Sequence, residues 1–204
     1  MLTSDQNRKI NEIVEEFKEA ADFYRMEYSE DLMGMFRDFG CMLLLKCKVD
    51  TEGKADLERL LEGRHKLKGT VKRQLMTVSE ELAQLWAPGE QDGSGDTGEY
   101  EGSQNVREMF QTALEEIFHF CLYSKGGKNR YLLPDETAKP LLRLLTFPEG
   151  MMAGNEGLVV LDTQCGAGRA LMAASRYLKN LRLMGYEKDE EMWAAAVIMS
   201  QLSG

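Results

Sequence analysis

Leu158-Val159-Val160-Leu161-Asp162-Thr163-Gln164-Cys165-Gly166-Ala167-Gly168-Arg169 is the stretch that decides the fold of the C-terminal part of this chain. Its apolar run is too short for a surface helix and predicts a buried strand, which then enters a turn. Gly166 and Gly168 free the backbone to turn sharply and to approach a ligand with no Cβ in the way. A helix that opens after such a turn points its first amides into it, which suits a nucleotide-like or amino-acid ligand.

The next segment, Leu181-Arg182-Leu183-Met184-Gly185-Tyr186-Glu187, is a second strand pattern ending in a carboxylate, and Glu187 stands 25 residues after Asp162. In a βαβ unit an acidic residue at about this distance beyond the glycine turn accepts hydrogen bonds from ribose hydroxyls. The competing reading is an ordinary strand-to-helix turn with Glu187 capping the following helix. A nicotinamide-binding unit fits less well, because Leu171 stands where its third glycine belongs.

At these residues the chain resembles the amino-group (N6-adenine) DNA methyltransferases, in particular the modification subunits of type I restriction systems. Asp162 to Gly168 is similar to that family's S-adenosylmethionine loop, Asp-Pro-x-Cys-Gly-x-Gly. Upstream, Gly127-Lys128-Asn129-Arg130-Tyr131-Leu132-Leu133-Pro134, followed by Leu141, Leu142, Leu144 and Leu145, looks like its Gly-x-Tyr-x-Thr-Pro segment and helix. Downstream, Gly185-Tyr186-Glu187 and a helix over Ala194 to Leu202 stand where the family has its Gly-x-Glu strand and next helix. The resemblance covers about residues 126 to 204. It implies S-adenosylmethionine as cofactor, held by Pro134, Asp162, Cys165, Gly166, Ala167, Gly168 and Glu187.

The chain departs from the family at three points. Thr163 replaces the loop proline, and Leu133 stands where a threonine precedes proline. The third departure removes the chemistry: these enzymes hold a flipped adenine with an Asn/Asp-Pro-Pro-aromatic turn, whereas Pro88, Pro134, Pro140 and Pro148 are nowhere adjacent. No catalytic residue is therefore assigned. The two candidate strands also fall short of a full methyltransferase sheet, so the base-binding half that a flipped nucleotide needs is missing. The expectation is either a piece of a larger enzyme or a natural truncation whose role is no longer methyl transfer, and in both cases a unit that does not transfer methyl groups alone.

The remaining sequence reads as helical. Thr3 and Gln6 are spaced as a capping box ahead of Ile10, Ile13, Val14, Phe17, Ala21, Tyr24 and Tyr28, an apolar stripe at helical spacing. A second helix is predicted from near Ser29 to Cys47, and a third from about Ala55 to Trp86, with Gly63 and Gly69 as possible interruptions and Pro88-Gly89 as its end. Residues 89–104 carry five glycines and five carboxylates with no Lys or Arg, the composition of a flexible linker. A fourth helix follows through Val106, Met109, Phe110, Ala113, Leu114, Ile117, Phe118 and Cys121, with His119 beside its apolar face as a structural residue. The fold class expected is mostly α with a small α/β part: a helical domain over 1–88, a linker over 89–104, and a helix plus a truncated Rossmann-like βαβ unit over 105–204. The helical region is expected to pack on that unit and cover its open sheet.

Composition narrows the function. At 43% apolar and 29% charged residues the chain is that of a globular protein able to bury a core. Its polar N-terminus and the lack of a long apolar run predict a cytoplasmic protein with no membrane association. A net charge of −9 argues against strong unaided DNA binding, and the cluster Arg64, Lys66, Lys68, Lys72 and Arg73 reads as a solvated helix surface. Cys41, Cys47, Cys121 and Cys165 form no Cys-x-x-Cys pair and the only histidines are His65 and His119, so no metal site is expected. The first three cysteines read as helix-packing residues. Cys165 has a steric reading, and a nucleophilic one if the helix dipole lowers its pKa. The 13 methionines are core filler, with Met151-Met152 as the one pair near a site.

Two functions remain. One is the cofactor-binding portion of an adenine-N6 DNA methyltransferase, reaching DNA only through a complex. The alternative is a non-catalytic interaction or inhibitory protein derived from such an enzyme, encoded on a mobile element. Both expect a protein partner or self-association, because a two-stranded sheet leaves open edges.

Overall fold

The computed structural model describes residues 2–28, 31–50, 54–62, 67–86, 97–124, 137, 159–177 and 182–202. These form seven helices and one two-stranded parallel sheet, in two compact units that divide after Lys128. The first unit is wholly helical and comprises α1 (Ser4–Glu27), α2 (Leu32–Lys46), α3 (Ala55–Glu62), α4 (Gly69–Ala83) and α5 (Thr97–Leu122). Pro134, the apolar run at 141–145, Met151 and Met152, His65, Arg64, Lys66 and the 89–96 part of the expected linker lie outside the described residues.

Helix α1 starts where its capping box places it: Gln6 N–H donates to Thr3 Oγ1 at 3.3 Å and Thr3 N–H donates to Gln6 Oε1 at 2.7 Å. Two of the amides left orphaned at a helix start are thereby satisfied. The stripe from Ile10 to Tyr24 is buried, but Tyr28 is not. Its ring stacks on Tyr24 at 5.0 Å and its hydroxyl accepts from the Lys68 backbone N–H at 2.9 Å, tying the end of α1 to the start of α4. Helix α2 begins at the Asp31 cap, whose carboxylate accepts from Met33 N–H at 3.1 Å, two residues beyond the expected Ser29.

Burial runs all the way round α2, from Leu32 to Cys41, which identifies it as the central helix. Around it α1, α4 and α5 contribute Phe17, Val71, Leu75, Phe110 and Phe118, and each is essentially inaccessible to water. Phe17 meets Phe39 edge-on at 5.0 Å and Phe120 at 6.4 Å, and Phe36 meets Phe118 at 5.1 Å. Such pairings add roughly 0.5–1.5 kcal/mol each beyond area burial. Arg37 and Asp38 are buried as well, with Nε and Oδ1 3.9 Å apart, so each charge has its counter-charge at hand. Cys41, Cys47 and Cys121 are buried thiols outside any disulfide, and burial pushes Cys47 up to about 12.

One boundary falls at an interruption that the sequence expects, and another departs from it. The long third helix is two helices, α3 and α4, and Gly69 opens the second at φ +62°, a conformation that disfavours any residue with a side chain. Helix α5 begins at Thr97, inside the expected 89–104 linker, because extending a well-packed helix toward its N-terminus needs no new nucleus. It packs on α1, α2 and α4, so the division between units falls after Lys128 and not at residues 89–104.

The second unit contains β1 (Val159–Asp162), α6 (Arg169–Tyr177), β2 (Arg182–Gly185) and α7 (Glu190–Leu202). The strands are parallel, with Val159 opposite Arg182 and Asp162 opposite Gly185, and α6 forms the crossover and packs on both. On the sheet, Val159 and Leu161 are 49% and 53% exposed. Among the described residues no helix is long and apolar enough to cross a membrane.

Phe17→Ala is expected to destabilise the helical unit by about 3–5 kcal/mol, against about 1 kcal/mol for Thr3→Ala. Denaturant titration of both variants checks the ranking, and equal losses would move the centre of the core away from the Phe17–Phe39 contact.

Candidate functional site

The glycine turn lies where β1 ends, and a few backbone bonds hold it against the residues after β2. Tyr186 N–H donates to Asp162 O at 2.9 Å and Cys165 N–H donates to Tyr186 O at 3.0 Å, which carries the strand pairing into the loop. Asp162 Oδ1 accepts from Gln164 N–H at 3.0 Å and closes a local turn over Thr163. Gly168 N–H donates to Cys165 O at 2.8 Å, and the first bond of α6 runs from Met172 N–H to Gly168 O at 2.9 Å.

Each glycine has a separate reason. Gly166 and Gly168 have φ of +54° and +77°, where a side chain strains the backbone. Gly168 is also close to α7, since a Cβ there would lie 3.4 Å from the Ala196 Cβ. Gly185, on β2, answers to space alone. A Cβ on it would stand 2.8 Å from Cys165 Sγ and 2.9 Å from Leu171 Cδ1.

Glu187 completes the arrangement. Its Oε2 accepts from Gly166 N–H at 2.9 Å and its Oε1 accepts from Asp189 N–H at 2.8 Å. One carboxylate therefore touches both the glycine turn and the approach to α7. The start of α7 is capped by Asp189, whose Oδ1 accepts from Glu191 N–H at 3.0 Å and Met192 N–H at 3.2 Å. Capping the next helix is thus the work of Asp189, and Glu187 faces the loop. A carboxylate oxygen can accept more than one hydrogen bond, so both Glu187 oxygens retain acceptor capacity.

An open cleft of about 510 Å³ lies beside the loop, lined by Thr163, Gln164, Tyr186, Glu187 and Lys188. It sits beyond the carboxyl ends of parallel strands, the usual position for ligands in open α/β sheets. Burial raises the Cys165 thiol above its ordinary pKa, and the carboxylates of Asp162 and Glu187 raise it further. This shift runs opposite to the one the nucleophilic reading needs, and the steric reading has the support that a Cβ on Gly185 would stand 2.8 Å from the Cys165 Sγ. Among the described residues no group of three or more His, Cys, Asp or Glu side chains is placed to hold a metal ion.

Of the residues singled out in the sequence, Asp162, Cys165, Gly166, Ala167, Gly168 and Glu187 come together here, whereas Pro134 lies outside the described residues. Sequence reasoning missed the steric demand on Gly185, the cap at Asp189 and the cleft positions of Tyr186 and Lys188. An Asp immediately before an acidic-rich helix start is a readable cap signal. The Gly185–Cys165 approach has no local signal.

Gly185→Ala is expected to destabilise the second unit by about 1–3 kcal/mol through overpacking. Adding Cys165→Ala should recover part of that loss, measurable as a coupling energy in a double-mutant cycle; strictly additive losses would contradict the steric pairing.

No protein-family model, curated protein or solved structure matches this chain.

Proposed function

We propose that the second unit is an S-adenosylmethionine-binding portion resembling that of adenine-N6 DNA methyltransferases, one that does not transfer methyl groups without a partner. The observation that carries this reading is the 2.9 Å contact between Glu187 and the Gly166 amide. It brings the acidic residue that follows β2 against the glycine turn after β1, beside a cleft that Glu187 lines, and this supports a nucleoside-recognition reading of the parallel βαβ unit.

The residues fit the cofactor in size and polarity. A cleft of about 510 Å³ is within the range of small-molecule sites. In this reading the outward acceptor positions of Glu187 take the ribose hydroxyls. The bare backbone at Gly166 and Gly168 and the start of α6 lie toward the methionine end, where the lack of side chains permits close approach. Asp162 orients the turn through Gln164 N–H, and this bond supplies locally the stiffness that the family's proline provides at position 163.

The absence of adjacent prolines argues against base flipping by these residues themselves. DNA would be reached through a protein partner, consistent with a net charge of −9. The second reading, a non-catalytic interaction protein derived from such an enzyme, draws its support from the same absence and from the exposed apolar residues Val159 and Leu161.

Calorimetric titration with S-adenosylmethionine and S-adenosylhomocysteine separates the two. The first reading expects micromolar binding that Glu187→Ala weakens by at least about tenfold, the scale of a lost hydrogen bond to a charged group. A folded protein that binds neither compound would leave the interaction reading in place.

A further inference from the structure

We infer that the Glu187 carboxylate is a two-armed clamp that makes the glycine turn and the entry to α7 one cooperative unit before any ligand arrives. Its two oxygens are engaged by two different backbone donors, Gly166 N–H at 2.9 Å and Asp189 N–H at 2.8 Å. These donors belong to segments 23 residues apart in the chain. A group serving only as a ligand contact needs neither bond, and a group serving only as a helix cap needs only the second. The adjoining packing favours the same coupling, because Met192, in the first turn of α7, lies against Gly166, its Cε 3.7 Å from where a Cβ would stand. Met192 N–H is in turn held by Asp189 Oδ1 at 3.2 Å, so the carboxylate, the cap and the methyl group form one closed circuit around the turn.

The clamp has a consequence for the ligand reading, on which this last step alone rests. A ligand that hydrogen-bonds the outer acceptor positions of Glu187 meets a turn already in its binding conformation and loses no free energy ordering it. By linkage, occupancy should also steady both segments that the carboxylate holds. Glu187 is thus a positioning residue as well as a ligand contact.

Amide hydrogen exchange followed by NMR on the whole chain tests this without assuming a ligand. In Glu187→Ala, exchange at Gly166 and Asp189 is expected to rise together by about tenfold or more, while Val160 and Leu183 in the strands keep their protection. Glu187→Gln, which retains a single acceptor oxygen, should preserve protection at one of the two amides and release the other. In Glu187→Ala, unchanged exchange at both sites or release of one without the other would overturn the clamp. Loss of protection in the strands as well would also overturn it, in favour of a general structural role. Adding S-adenosylhomocysteine to the wild-type chain should slow exchange at both amides. If it binds and slows neither, the linkage is wrong; if it does not bind while the ligand-free pattern holds, the clamp stands and the cofactor reading falls.

Discussion

The site depends on how closely the glycine turn can approach β2, and that distance is set by the missing side chain at residue 185. With a Cβ there, Cys165 Sγ and Leu171 Cδ1 would both be closer than 3.0 Å, and these side chains would have to shift. Because they do not, Cys165 N–H and Tyr186 N–H can bond across the gap and Glu187 comes within reach of Gly166. The arrangement of acceptors around the cleft follows from this contact. Cys165 then has a packing role: it fills the space that Gly185 leaves.

The helical unit is organised on a different principle. Its central helix, α2, is covered on every side and carries glycines and a buried Arg37–Asp38 pair among large apolar residues. Aromatic contacts from α1 and α5 close around it. On its surface the ties are long-range and polar, as in the Lys46–Glu80 ion pair and the bond from Lys68 N–H to Tyr28. Apolar burial supplies most of the stability of such an assembly, and exposed pairs add little.

Local signals in the sequence suffice where local physics decides. Thr3 and Gln6 cap α1 because their spacing alone permits it, and Gly69 interrupts a helical pattern because its backbone enters the left-handed region. Asp162 to Gly168 forms a strand end and turn for the same reason. The start of α5 at Thr97 was hidden, since glycines and carboxylates gave no apolar period and the helix is carried by packing further along. The division after Lys128 was hidden likewise, because it depends on which helices α5 touches. At the site, the identities of Asp162 and Glu187 were legible, but the direction in which Glu187 points was not. A carboxylate at that position suits a ribose, a helix cap or a turn, and only tertiary placement shows that it meets the Gly166 amide.

The most direct test of the account is chemical-shift mapping of the isotopically labelled chain on titration with S-adenosylmethionine. Saturable shifts are expected at Thr163 to Gly168 and Tyr186 to Lys188, with the helical core around Phe17 and Phe39 unmoved. Saturable shifts elsewhere, or none in a protein whose spectrum is well dispersed, would contradict the assignment of this cleft as a cofactor site.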